Sequence, residues 1–301
     1  MNQRNTKASV TLAFFIVLLA SFAAMNALTA GSLKQACVQE AVLAFTALAA
    51  VGFAVPDAFK RCTATVQQRN LIRFVVAALF LVGFVGGVIS LVTWNNDRAG
   101  AIGDLVFSQL PSASEIVQNL LFLLSVCLFT GLYEEAFMRV LGIEAFEGAM
   151  GEGGAASGHV VDGHIGNSAD AGRGSVKPSI ALDTAAKRAI LAAAALFALL
   201  HVGVPDVSAG QLVLTQTALK FTQALLFGVI LGVLYAQTRR LWPCALIHAG
   251  FDVLYLGPNV LLAGTMPETY ASGAASDTIL LAVTVLMLAC VVLKMRKEIS
   301  R

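Results

Sequence analysis

Three short patterns of ionisable residues interrupt long apolar stretches of this chain. They are Glu134-Glu135-Ala136-Phe137-Met138-Arg139, Phe197-Ala198-Leu199-Leu200-His201 and His248-Ala249-Gly250-Phe251-Asp252. A carboxylate beside an imidazole in a desolvated pocket suits general acid–base work on water. On a helix, Glu135 and Arg139 stand at i and i+4 and can neutralise each other along one stripe. Glu134 is turned about 100° away and lacks that partner. His248 and Asp252 are also at i and i+4 and point into the same space. Each group has a plainer reading by itself. Glu135–Arg139 can be a structural pair, His201 a polar cap, and His248–Asp252 an interhelical clamp. Glu134 can serve a proton relay or a transporter's binding site. The conjunction of all three patterns carries the catalytic reading.

The elements that must position these groups are membrane helices. Of 301 residues, 57% are hydrophobic and only 13% charged. Mean hydropathy is +0.79. A soluble domain carries about 25% charged residues, so an ordinary cytosolic globule and a disordered chain are both excluded. The fold class expected is all-α, a polytopic membrane protein of about eight transmembrane helices. The apolar runs are Val10 to Ala30, Ala36 to Val55, Leu71 to Trp94, Ile116 to about Phe146, Ala185 to Gly203, Leu212 to Ala236, Pro243 to Leu262 and Thr278 to Leu293. The first follows Arg4 and Lys7 as a signal peptide would, but it exceeds the roughly 7–15 residues of a signal h-region, so it reads as a span.

Basic residues set the orientation. One side collects Arg4, Lys7, Lys60, Arg61, Arg69, Arg73, Arg173, Lys177, Lys187, Arg188, Arg239, Arg240, Lys294, Arg296, Lys297 and Arg301; the opposite loops hold Lys34, Arg98 and Lys220. Positive-inside bias puts both termini in the cytoplasm of a multi-pass cell-membrane protein. Net charge is +2, which gives no sign of nucleic-acid binding. At 1.5 Å per residue, Glu134 and His201 lie roughly 20 Å from the cytoplasmic ends of their helices, His248 roughly 12 Å and Asp252 roughly 18 Å. One cavity can therefore hold all four. A charge at mid-bilayer costs at least ~2.5–3.5 kcal/mol, so each asks for a partner.

Between the first and second patterns, residues 148–177 are rich in glycine and poor in large apolar side chains, as expected of a flexible cytoplasmic linker. His159 and His164 in it lack the company a metal site needs. The five cysteines, Cys37, Cys62, Cys127, Cys244 and Cys290, form no CxxC and read as packing residues. Gly83/Gly87 and Gly228/Gly232 have the spacing of close helix packing. No domain-sized repeat is visible, which counts against a transporter built on inverted repeats.

In order and type, EExxxR (Glu134, Glu135, Arg139), FxxxH (Phe197, His201) and HxxxD (His248, Asp252) resemble the CPBP family, the CAAX-processing and bacteriocin-processing (Abi) intramembrane endopeptidases. The resemblance covers about Leu120 to Leu256. It divides the chain into an N-terminal three-helix region (1–115), a catalytic core (116–262) and a last helix with a basic tail (263–301). It implies that Glu134 and His201 activate water for attack on a peptide carbonyl, while His248 and Asp252 steady the oxyanion. Glu135, Arg139 and Phe197 would support the site. Eukaryotic members remove three residues from prenylated CAAX proteins; bacterial relatives are linked to bacteriocin immunity, maturation or signalling. The implied partners are a membrane-associated peptide or protein substrate and the lipid bilayer. Many members carry Asn where this chain has Asp252, and an ionised Asp cannot donate to an oxyanion. It must be protonated, orient His248, or help bind a metal. No cofactor is expected, although Glu134, His201 and His248 offer a zinc-type donor set as the alternative. A non-enzymatic immunity or peptide-binding protein, and a proton-coupled transporter, are the rival functions.

Overall fold

The structure, a computed structural model, describes residues 3–26, 32–60, 64–99, 110–151, 182–202, 208, 210–263 and 272–299. Every regular element among them is helical: α1 (Gln3–Asn26), α2 (Leu33–Ala54), a short 3₁₀ turn (Pro56–Phe59), α3 (Val66–Ala99), α4 (Ala113–Glu134), a π-helical segment (Glu135–Gly142), α5 (Ile143–Gly151), α6 (Thr184–Val202), α7 (Gln211–Thr238), α8 (Leu241–Ala263) and α9 (Ala275–Ile299). Among the described residues, seven helical stretches are long and apolar enough to cross a membrane, and α4, the π segment and α5 form one of them, Ala113–Met150. The remaining expected span corresponds to α1, whose apolar stretch is the shorter Ser9–Ser21. Residues 152–181, with His159 and His164, lie outside the described residues, as does Cys62.

Helix α8 packs between α3 and α4; α7 packs against α6 and α9; α2 covers α4, and α1 lies on α2 and α5. Small residues make these approaches possible, because helices in lipid associate through close packing rather than through a hydrophobic force between them. A Cβ on Gly131 of α4 would stand 2.7 Å from the Ala245 carbonyl of α8. The two expected glycine pairs lie at such crossings. Gly83 and Gly87 meet Phe251 and Leu254 of α8, and Gly228 and Gly232 meet Ala194 and Ile190 of α6. Pro258 sits inside α8 and has no N–H to give the Leu254 carbonyl four residues back. It is against this carbonyl that Gly87 packs. Cys127 and Cys244 are buried packing residues with free thiols. Outward faces carry large apolar side chains such as Phe45, Phe53, Phe84, Leu121 and Leu286, the surface a bilayer would cover.

Helix ends are held by named contacts. Ser112 and Glu115 form a reciprocal capping box at the start of α4, satisfying donors the first turn leaves open. At the other end of the same rod, Arg239, in the left-handed region at φ 49°, donates to Glu144 (2.8 Å) and Glu147 (2.9 Å). Burial works against its charge, but the hydrogen bonds to Glu147 and the Glu144 charge hold the guanidinium above its usual range. The α4–α5 rod is thereby anchored to the end of α7. Its rotation about its own axis decides where the Glu134–Glu135 pair points.

Candidate active site

The three sequence patterns meet where α4 passes into the π segment, beside the end of α6 and the middle of α8. A π turn carries i→i+5 hydrogen bonds, is rare, and is found most often at functional sites. Here it begins at Glu135, and all eight of its residues are buried. Nothing in the apolar periodicity announced it.

Two layers can be distinguished. The inner one is sealed. Glu135 and Arg139 are 0% and 1% exposed, with Glu135 Oε2 3.1 Å from Arg139 Nε. The second oxygen, Oε1, lies 2.8 Å from His248 Nδ1. A carboxylate facing Arg139 accepts, so the imidazole donates from Nδ1. The Arg139 guanidinium lies 4.5 Å over the Phe197 ring, a cation–π contact that compensates a buried charge. Phe197 then fixes His201 twice: its ring centre is 4.2 Å from the imidazole, and its carbonyl accepts from His201 Nδ1 at 2.9 Å. Both histidines thus have Nδ1 occupied and turn Nε2 the other way.

The outer layer is where those nitrogens point. Glu134 Oε1 is 3.9 Å from His201 Nε2, and Glu134 Oε2 is 3.5 Å from His248 Nε2. Asp252 Oδ2 lies 3.4 Å from the same His248 nitrogen. His201 is 28% exposed, and Glu134 15%, so this layer is the accessible one. Phe227 of α7 stands edge-on to His248, with ring centres 4.8 Å apart, and closes the apolar wall. Every expected site residue is therefore brought together: Glu134, His201, His248 and Asp252 around one space, with Glu135, Arg139 and Phe197 behind them. Among the described residues no group of three or more His, Cys, Asp or Glu side chains is arranged to hold a metal ion.

Sequence reasoning missed three neighbours. Glu40 of α2 has a hydrogen bond to Thr130 and lies within electrostatic reach of Asp252 and His248. Lys220, expected in a loop on the opposite side, lies inside α7 and interacts with the charges of Asp252 and Glu134. Phe227 is the third. The available signal for the first two was a lone charge in an apolar run, the same one that singled out Glu134.

Neither a curated protein nor a solved structure matches the chain. Residues 116–254 match the model of one family, described as type II CAAX prenyl endopeptidase Rce1-like. That segment contains all three patterns and excludes Glu40. Through that segment the chain is similar to the type II CAAX prenyl endopeptidases, which supports the resemblance to the CPBP family that the three patterns carried.

Proposed function

We propose that the protein hydrolyses a peptide bond of a membrane-associated peptide or protein without a cofactor, with Glu134 as general base. The observation that carries this reading is the pair of imidazole Nε2 atoms facing one glutamate, 3.9 Å and 3.5 Å away, each histidine locked through its own Nδ1. The 3.9 Å separation is too long for a direct hydrogen bond and short enough for a single water to touch both groups. Glu134, aided by His201, takes a proton from that water as its oxygen adds to the carbonyl carbon. The carbonyl oxygen becomes an oxyanion. When the C–N bond breaks, the proton held at Glu134 passes to the departing amine.

His248 supplies the charge stabilisation. Its Nδ1–H is committed to Glu135, so it can donate to an oxyanion from Nε2 only as an imidazolium. Asp252, beside that nitrogen, favours the imidazolium when ionised. Its role in this reading is electrostatic support of His248 rather than direct donation. In the same reading, both termini face the cytoplasm of a cell membrane, on the strength of the basic-residue asymmetry.

The test compares membranes carrying wild type, Glu134→Gln and His201→Ala by mass spectrometry of all new protein termini, each with and without a chelator. Termini present only with wild type and unaffected by chelation are expected. Termini that vanish with chelator would transfer the chemistry to a metal. Equal patterns in all three, at equal expression, would favour a peptide-binding or immunity role that keeps the fold without catalysis.

A further inference from the structure

Two carboxyl groups converge on one imidazole nitrogen, Glu134 at 3.5 Å and Asp252 at 3.4 Å from His248 Nε2. One imidazolium cannot neutralise both, and Arg139 already faces Glu135. The further cation comes from α7. Lys220 Nζ donates to Gln223 Oε1 at 3.1 Å. Gln223, itself buried, donates from Nε2 to the Tyr255 hydroxyl at 2.9 Å and to Thr284 Oγ1 at 2.7 Å. Tyr255 follows Asp252 by three residues on α8, so the two share a face. The bonded chain Lys220–Gln223–Tyr255 therefore ties an ammonium on α7 to the face of α8 that carries Asp252. An ammonium within a span needs such a reason to be there.

We propose that Lys220, anchored by Gln223, is a positioning residue: it supplies the counter-charge to Asp252 and so leaves His248 Nε2 available to the substrate oxyanion. The other ionisable groups in the neighbourhood are Glu40 from α2, Cys127 and Glu134 from α4, Glu135 and Arg139 from the π segment, His201 from α6, and His248 and Tyr255 from α8. Among these described groups the cationic side chains are Lys220 and Arg139, and Arg139 is already paired with Glu135 in the sealed layer. The inference rests on the hydrolytic reading above for its consequence, but not for the pairing itself.

The experiment is a double-substitution cycle on the full chain, with Lys220→Met, Lys220→Arg, Asp252→Asn and Lys220→Met/Asp252→Asn. Two quantities are read: cleavage that depends on Glu134, as new termini in membranes, and thermal unfolding of the purified protein in detergent. Lys220→Met is expected to lower cleavage on the order of tenfold, the size of a close charge coupling, and Lys220→Arg to retain most of it. Adding Asp252→Asn to Lys220→Met is expected to recover both cleavage and unfolding temperature, since the uncompensated carboxylate is gone and an amide N–H takes its place. Simple addition of the two single effects in both readouts overturns the proposal, as does a Lys220→Met protein indistinguishable from wild type. Should Lys220→Met fail to fold, recovery of folded protein by the second substitution supports the pair, and continued loss refutes it. Absence of any cleavage dependent on Glu134 would sink the hydrolytic reading alone; the unfolding cycle would still decide the pairing.

Discussion

Glu134 and Glu135 are consecutive glutamates with opposite surroundings, and the two layers they belong to teach how this site is built. The inner layer, Glu135, Arg139, Phe197 and the Nδ1 side of His248, is sealed and paired. The outer layer, Glu134, His201, Asp252 and the Nε2 side of His248, is partly open, and its separations of 3.4–3.9 Å leave its groups incompletely bonded. A buried charge pair is a poor source of stability but is severely felt when one partner is removed. Here its evident use is to fix the direction of two imidazoles. The inner layer orients, and in the proposed mechanism the outer layer acts.

The comparison can be broken most decisively at its outer member. Glu134→Gln is expected to reduce cleavage by about 10²–10⁴-fold, the usual worth of a positioned general base, with thermal unfolding close to wild type. A large loss of unfolding temperature would instead place Glu134 in the scaffold. Next in size comes the inner layer. Glu135→Gln and Arg139→Met should each destabilise the protein by about 3–5 kcal/mol, the cost of stranding a buried charge. Their combination should cost less than the sum of the two, as calorimetry or denaturant titration would register. Additive losses would show that the pair does not act as a unit.

Smaller effects probe how the layers are held. Gly131→Ala places a methyl 2.7 Å from the Ala245 carbonyl, which pushes α4 away from α8 at a cost of about 1–3 kcal/mol. Because α8 carries both His248 and Asp252, cleavage should fall further than stability alone accounts for, measured as rate per folded molecule. Least of all, Arg239→Ala removes the clamp on Glu144 and Glu147. A partly exposed ion-pair cluster is worth about 1 kcal/mol or less, and its contribution should shrink as salt is raised in the unfolding assay.

Much of this was legible from residue types and spacing. Long apolar runs announced the spans, since a bilayer demands about 20 apolar residues per helix. Lone charges inside them announced the site, because lipid penalises each one. Helical spacing at i and i+4 announced the Glu135–Arg139 and His248–Asp252 pairs, both of which form. Glu40 and Lys220 obeyed the same penalty yet went unassigned. Glu40 belongs to no pattern, and Lys220 was counted with the loops, where its charge seemed to cost nothing.

The sequence by itself determined that the chain is a helical membrane protein, which helices carry its buried ionisable residues, and that Glu134 and Glu135 face different ways. These are local properties, set by hydropathy and a 100° step per residue. Only the tertiary structure decided that both histidines turn Nε2 toward Glu134. That depends on Phe197 giving its carbonyl to His201, and on Glu135 reaching across from the π segment to α8. It alone also brought α2 and α7 to the site with Glu40, Lys220 and Phe227. The reason is physical: which ring nitrogen is occupied, and which remote helix supplies a counter-charge, depends on contacts between segments far apart in the chain, and no local period records them.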